Sequence, residues 1–132
     1  MEILVITSCS KKKLKHKAKA EDLYQGVLFK TVKDFVKRKN YDWVIISAKY
    51  GLVLPQQNIQ PYDKQLKTKK DIEEIRDNVI SKLKAILPIY DKVIVICGKR
   101  YREVIEPLFD DKFEIMIANN YQGYAQKVKS LC

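Results

Sequence analysis

The chain has 132 residues, with 26 Lys+Arg against 16 Asp+Glu and a formal net charge of +10. A length of this order suits one domain that buries about two-thirds of its extended surface, so a core can form without disulfides or metals. With 46% hydrophobic and 32% charged residues, the sequence is neither disordered nor low-complexity, and no apolar run approaches the roughly 18 residues of a transmembrane helix.

The first apolar run, Ile3-Leu4-Val5-Ile6, begins directly after Met1-Glu2, and the basic run Lys11-Lys12-Lys13 follows it. A secretory signal has the reverse order. Cys9, Cys97 and Cys132 are far apart and form no CxxC pair. The expectation is a cytoplasmic chain with free thiols. Ile3 to Thr7 reads as a strand, because a short β-branched run without polar alternation fits a position buried on both faces. Tyr24, Val27, Leu28, Val32, Phe35 and Val36 then repeat at helical spacing, which predicts an amphipathic helix over Glu21 to Arg38. Trp43 to Ser47 is a second strand. The stretch Gly51 to Thr68, with Pro55 and Pro61, is too long for a plain connection, and loops of this length inside compact domains are usually functional. Ile72, Ile75, Val79, Leu83 and Ile86 give a helix over Lys69 to Leu87, with acids in its first turns where they suit the helix dipole. Val93 to Cys97 is a third strand and Phe113 to Ala118 a fourth. Helices over Arg102 to Leu108 and Gln122 to Leu131 complete the pattern. Alternating strands and helices predict an α/β fold: a single domain over residues 1–132, in three layers, with a mostly parallel sheet of at least four strands and helices on both faces.

In such sheets ligands bind outside the carboxyl ends of the strands. Those ends run here into Thr7-Ser8-Cys9-Ser10-Lys11-Lys12-Lys13, Ser47-Ala48-Lys49-Tyr50-Gly51, Cys97-Gly98-Lys99-Arg100-Tyr101 and Ala118-Asn119-Asn120-Tyr121. One edge would then gather lysines, hydroxyls and aromatics. That is the makings of a phosphate or nucleic-acid site, with Tyr50, Tyr101 and Tyr121 available to stack on bases. The alternatives are lysine as a general surface filler and tyrosines that only cap the core. Cys9, beside three lysines, is a candidate nucleophile or redox thiol, or a small filler residue. Asp63, in Pro61-Tyr62-Asp63, is a candidate base, nucleophile or ribose ligand, or a turn anchor. No GxGxxG, P-loop or GxSxG pattern occurs. His16 is the sole histidine, and Cys9, His16, Cys97 and Cys132 lack the paired spacing of a zinc site. No metal and no cofactor are expected.

Two stretches carry a resemblance. Leu23-Tyr24-Gln25-Gly26 and the segment Ser47 through Tyr62, with Tyr50-Gly51-Leu52, Pro55 and Ile59-Gln60-Pro61-Tyr62 in order, resemble the small domains related to the YaaA peroxide-stress proteins. Cys9-Ser10-Lys11-Lys12-Lys13, a Cys-Ser-x-Lys-Lys segment, is more faintly similar to an accessory domain of archaeal tRNA-guanine transglycosylases. The chain is much shorter than YaaA proteins and shows no helix-hairpin-helix insert. The resemblance implies a connection to nucleic acid or nucleobases. Together with the charge, it yields two expectations. One is a nucleic-acid- or nucleotide-associated domain acting on a nucleobase or glycosidic bond, with Asp63, Tyr50 and Cys9 as catalytic candidates. The other is a non-catalytic nucleic-acid-binding module of a stress or base-modification pathway. Ser8, Ser10, Lys11, Lys12, Ser47, Lys49, Gly51, Tyr62, Gly98, Arg100 and Asn119 are the expected nucleotide-binding residues in either case. No membrane partner is expected. Residues 47 to 63 are expected to fold back over the strand ends, placing Tyr50 and Asp63 beside Ser8 and Cys9 with Tyr62 as an anchor.

Overall fold

A computed structural model describes residues 1–118 and 120–131, with Tyr121 described for its backbone alone. The elements in order are β1 (Ile3–Ser8), β2 (Ala18–Lys19), α1 (Ala20–Leu23), α2 (Val27–Lys39), β3 (Asp42–Ser47), β4 (Gly51–Val53), β5 (Asn58–Ile59), α3 (Lys69–Ile86), β6 (Lys92–Ile96), α4 (Lys99–Ile105), β7 (Phe113–Ile115) and α5 (Tyr121–Ser130). Five strands form one sheet in the order β4-β3-β1-β6-β7. β1, β3, β6 and β7 are parallel, and β4 is antiparallel to β3.

Successive strand residues point to opposite faces, so each apolar run feeds two cores. Val5, Ile45, Ile94 and Ile96 pack with Phe29, Val32 and Phe35 of α2 and Val128 of α5. Leu4, Ile6, Val44, Val93 and Val95 pack with Ile72, Ile75, Val79 and Leu83 of α3 and Val104 of α4. Helices on both faces explain why the strands lack polar alternation. Among the described residues, no helix is long and apolar enough to cross a membrane.

Three elements differ from the sequence expectation. The helix expected over Glu21 to Arg38 is two helices, broken at Tyr24 to Gly26. The loop after β1 packs into this break. A Cβ on Gly26 would lie 2.6 Å from Ser10 Cβ, while Leu14 N donates to Leu23 O at 2.9 Å and Gln25 N to Lys12 O at 2.8 Å. Tertiary hydrogen bonds thus replace helical ones without breaking the apolar spacing. The fourth strand stops at Ile115, short of Ala118. The helix expected from Arg102 begins at Lys99, directly after Gly98. The segment Gly51 to Thr68 is also more structured than a connector. β4 returns against β3, and Asn58–Ile59 pairs with Ala18–Lys19. α3 then opens with a capping box, in which Asp71 N donates to Thr68 Oγ1 and the Asp71 carboxylate accepts from Thr68 N.

Candidate functional site

After β1 the chain crosses over one face to β3, and from there over the other face to β6 on the far side of β1. The topological switch point therefore lies between β1 and β6. That is where open α/β sheets bind ligands. Ser8 and Cys9 end β1 there. Gly98 and Lys99 follow β6, and Tyr101 lies in the first turn of α4. Cys9 Sγ is 3.3 Å from Tyr101 Oη, bridging the switch point.

Beside this bridge lies a buried chain of hydroxyls. Ser47, fully buried at the end of β3, accepts from Lys49 N at 3.2 Å and Tyr50 N at 3.0 Å. Those two bonds fill the lone pairs of Oγ, so its single proton is directed to the phenols, Tyr62 Oη at 2.7 Å and Tyr24 beside it. Tyr62 Oη also lies 2.8 Å from Tyr24 Oη and is hydrogen-bonded to Cys9. Tyr24, Tyr62, Ser47 and Cys9 thus form one polar cluster where the two cores meet, with Cys9 and Tyr62 packed against both. Burial, then the negative charge available on Cys9, raises both phenols well above the ordinary tyrosine range. Both tyrosines stay protonated as hydrogen-bond donors.

Cations and rings surround the cluster. Lys13 Nζ sits 4.4 Å above the Tyr62 ring, within cation–π range. Burial lowers the Lys13 ammonium, opposed by Cys9 and Asp63. The Tyr50 ring meets Tyr62 edge-on, with centroids 5.5 Å apart, and Lys49 Nζ lies 5.2 Å from its centre. Lys11 and Lys12 are exposed on the adjoining loop. That loop is held by the bridge from Lys13 to Tyr24 and by the bonds of Leu14 and Gln25. Ser10 donates to Lys12 O at 2.7 Å and accepts from Gly26 N at 3.1 Å.

The sequence-selected residues therefore divide. Ser8, Cys9, Ser47, Tyr50 and Tyr62 come together, with Lys11, Lys12 and Lys49 at their margin. Segment 47–63 does return over the strand ends, but it is Tyr62, not Asp63, that reaches the cluster. Asp63 is exposed and makes no hydrogen bond or ion pair among the described residues, its carboxylate acting only at a distance on Lys13. Ser10 and Gly51 serve the backbone. Gly51 has φ +77°, and a Cβ there would fall 2.1 Å from Asn78 Oδ1, the atom that accepts Leu52 N. Gly98 precedes α4 as its N-cap, and Arg100 donates to Leu66 O at 3.1 Å, tying the long loop to α4. Asn119 and Cys132 lie outside the described residues, as does the side chain of Tyr121. Tyr24 was not singled out as a site residue from sequence. The signal was present in Tyr24-Gln25-Gly26, where a buried tyrosine precedes a glycine at a helix start. Among the described residues, no group of three or more His, Cys, Asp or Glu is arranged to hold a metal.

The charge around the cluster is uneven. Residues 11–19 carry six lysines and His16 with no acid, and none of these lysines makes an ion pair among the described residues. Lys33, Lys37 and Arg38 on α2 are instead matched by Glu21, Asp22 and Asp34. Comparison with known families places the chain in a family of unknown function, DUF6884, whose model matches residues 4–130. The chain belongs to that family. No curated protein matches it.

Proposed function

We propose that this domain binds a nucleotide unit, free or within nucleic acid, at the carboxyl edge of its sheet. The observation that carries the reading is the unneutralised basic segment of residues 11–19, held against a hydroxyl, thiol and aromatic cluster at the switch point. Phosphates would lie against Lys11, Lys12 and Lys49. A base would meet Tyr50, whose ring is half-buried and displaces only a lysine ammonium on stacking. The resemblance to YaaA-related domains, the cytoplasmic location and the part in a stress or base-modification pathway belong to this proposal. Lysine as mere filler accounts less well for a segment with six lysines and no acid beside a helix in which Lys33, Lys37 and Arg38 are paired.

A labelled-oligonucleotide anisotropy titration over a salt series tests it. Affinity is expected to fall linearly on log axes, with a slope of roughly −0.7 per phosphate contacted on a single strand. Charge reversal at Lys11, Lys12 and Lys49 should weaken binding and flatten the slope, far more than reversal at Lys33, Lys37 and Lys82. Equal effects from both sets, or no binding at low salt, would refute the reading.

A second reading, catalysis on a nucleobase or its glycosidic bond, is favoured by the two tyrosine hydroxyls on the Cys9 sulfur and by the unengaged Asp63 carboxylate nearby. It requires Asp63→Asn or Cys9→Ser to abolish turnover while leaving nucleotide affinity unchanged.

A further inference from the structure

We propose that the groove between α3, α4 and the end of β7 is a second binding site, for a small organic anion with an apolar body. The groove has a volume of about 620 Å³, inside the range of small-molecule sites. It lies beside the rim cluster and shares none of its side chains. Ile72, Phe109, Ile115 and Ile117 supply an apolar floor, and Ile117 is 56% exposed despite being aliphatic.

The two helices charge the groove with a polarity. α3 and α4 both start at the carboxyl edge of the sheet and run antiparallel to the strands, so their first residues sit at the same end. Those residues are Lys69 and Lys99, both lining the groove. One turn on, each helix presents an acid, Glu73 and Glu103, and α4 is followed after another turn by Glu106. Neither Lys69 nor Lys99 makes an ion pair among the described residues. Arg76 and Arg102 add positive charge to the walls while bonded to backbone carbonyls, Arg76 to Glu103 O at 2.7 Å and Arg102 to Cys97 O at 3.1 Å. The Arg76 bond ties α3 to α4, the Arg102 bond ties α4 to the end of β6, and the lysines are left as the donors without an ion pair among the described residues. An anionic head would be drawn to Lys69 and Lys99 and repelled by Glu103 and Glu106, with its apolar body on the floor between. This site does not depend on the nucleotide reading of the rim.

The aromatic sulfonate anilinonaphthalene sulfonate serves as the probe, with uncharged phenylnaphthylamine as its comparison. Its fluorescence is followed at increasing protein concentration, and amide chemical-shift changes locate it. Saturable binding is expected, with shifts at Ile72 and Ile115 and affinity above that of the neutral dye. The paired Lys69→Glu and Lys99→Glu substitutions should weaken it roughly tenfold or more. Ile117→Glu should weaken it in the same direction. All three positions are exposed, so the variants should melt like the parent. Lys11→Glu with Lys12→Glu should leave dye affinity within about twofold. The proposal is overturned by absent saturable binding, by equal affinity for the neutral dye, by indifference to the Lys69 and Lys99 reversals, or by an equal loss from the Lys11 and Lys12 reversals.

Discussion

Tyr62→Phe removes one oxygen and should cost the fold more than any substitution at Asp63. The lost hydroxyl is the 2.7 Å partner of Ser47, which is fully buried and whose other hydroxyl partner is Tyr24. It is also the partner of Tyr24 at 2.8 Å. A buried donor left unsatisfied costs about 1–3 kcal/mol, and ring packing against Tyr50 and Tyr24 is retained, so the expected loss is about 2 kcal/mol. For a chain of this length that lowers Tm by roughly 6–10 °C. Asp63→Asn changes an exposed side chain with no bond to lose and should stay within about 0.5 kcal/mol. Urea unfolding followed by the fluorescence of Trp43, which is buried beside Phe29, measures both. Ser47→Ala supplies the internal check: combined with Tyr62→Phe it removes donor and acceptor together, so the double variant should lose less than the summed singles by about 0.5–3 kcal/mol. A Tyr62→Phe protein as stable as the parent, or strictly additive losses, would refute the proton assignment. Destabilisation by Asp63→Asn would return Asp63 to a structural role.

Gly51→Ala should destabilise by more than about 1 kcal/mol in the same unfolding assay, since φ is +77° and the new Cβ meets Asn78 Oδ1. Thr68→Ala should cost about 1 kcal/mol by removing the N-cap of α3. The Asp71 carboxyl is held below its ordinary range by the backbone amides of Lys67 and Thr68, so its contribution is complete above the ordinary aspartate pKa and fades as pH falls through the lowered folded value. Asp71→Asn should therefore lower stability near neutrality and flatten the acid limb of a pH–Tm curve. Full burial pushes the Cys97 thiol up to about 12, so in a Cys132→Ser background iodoacetamide at pH 8 should label Cys9 first and Cys97 only after denaturation, as read by peptide mass spectrometry.

The parallel sheet was legible because its signal is strong and local. Ile3 to Ile6, Trp43 to Ile46 and Val93 to Ile96 are apolar on both faces, and only a sheet covered on both sides needs that. The convergence of Ser8, Cys9, Ser47 and Lys49 then follows from topology alone. What misled was spacing that survives a change in backbone. Tyr24 and Val27 keep helical separation across a break, because Gln25 and Leu23 trade helical bonds for bonds to Lys12 and Leu14. The short strands β2 and β5 were not legible, since two residues carry no period. Asp63 was favoured over Tyr62 on residue type, and type does not report direction. In an extended stretch neighbouring side chains point opposite ways, so once Tyr62 is drawn inward to Ser47 its neighbour faces water.

That reversal bears on the chemistry the rim can perform. A carboxylate in water is a poor general base near neutrality, because tuning it upward takes burial or a like charge. Asp63 is exposed and makes no hydrogen bond or ion pair among the described residues. The groups that are desolvated are Tyr24 and Tyr62, and their phenols are pushed toward the neutral form, which donates a hydrogen bond but does not take up a proton. The phenols are bonded within the buried cluster, and the donors the rim presents to solvent are the ammonium groups of Lys11, Lys12 and Lys49 at its margin. On the proposed reading, such a margin would take an electron-rich partner, whether phosphate oxygen or base carbonyl. Any acid–base step at Asp63 would depend on a bound ligand covering the carboxylate and excluding water from it. Measuring the pKa of Asp63 by carboxyl-carbon NMR, with and without a saturating nucleotide, tests that dependence. A value that rises on binding supports catalysis coupled to closure over the ligand, and a value unchanged by binding leaves the rim a recognition surface.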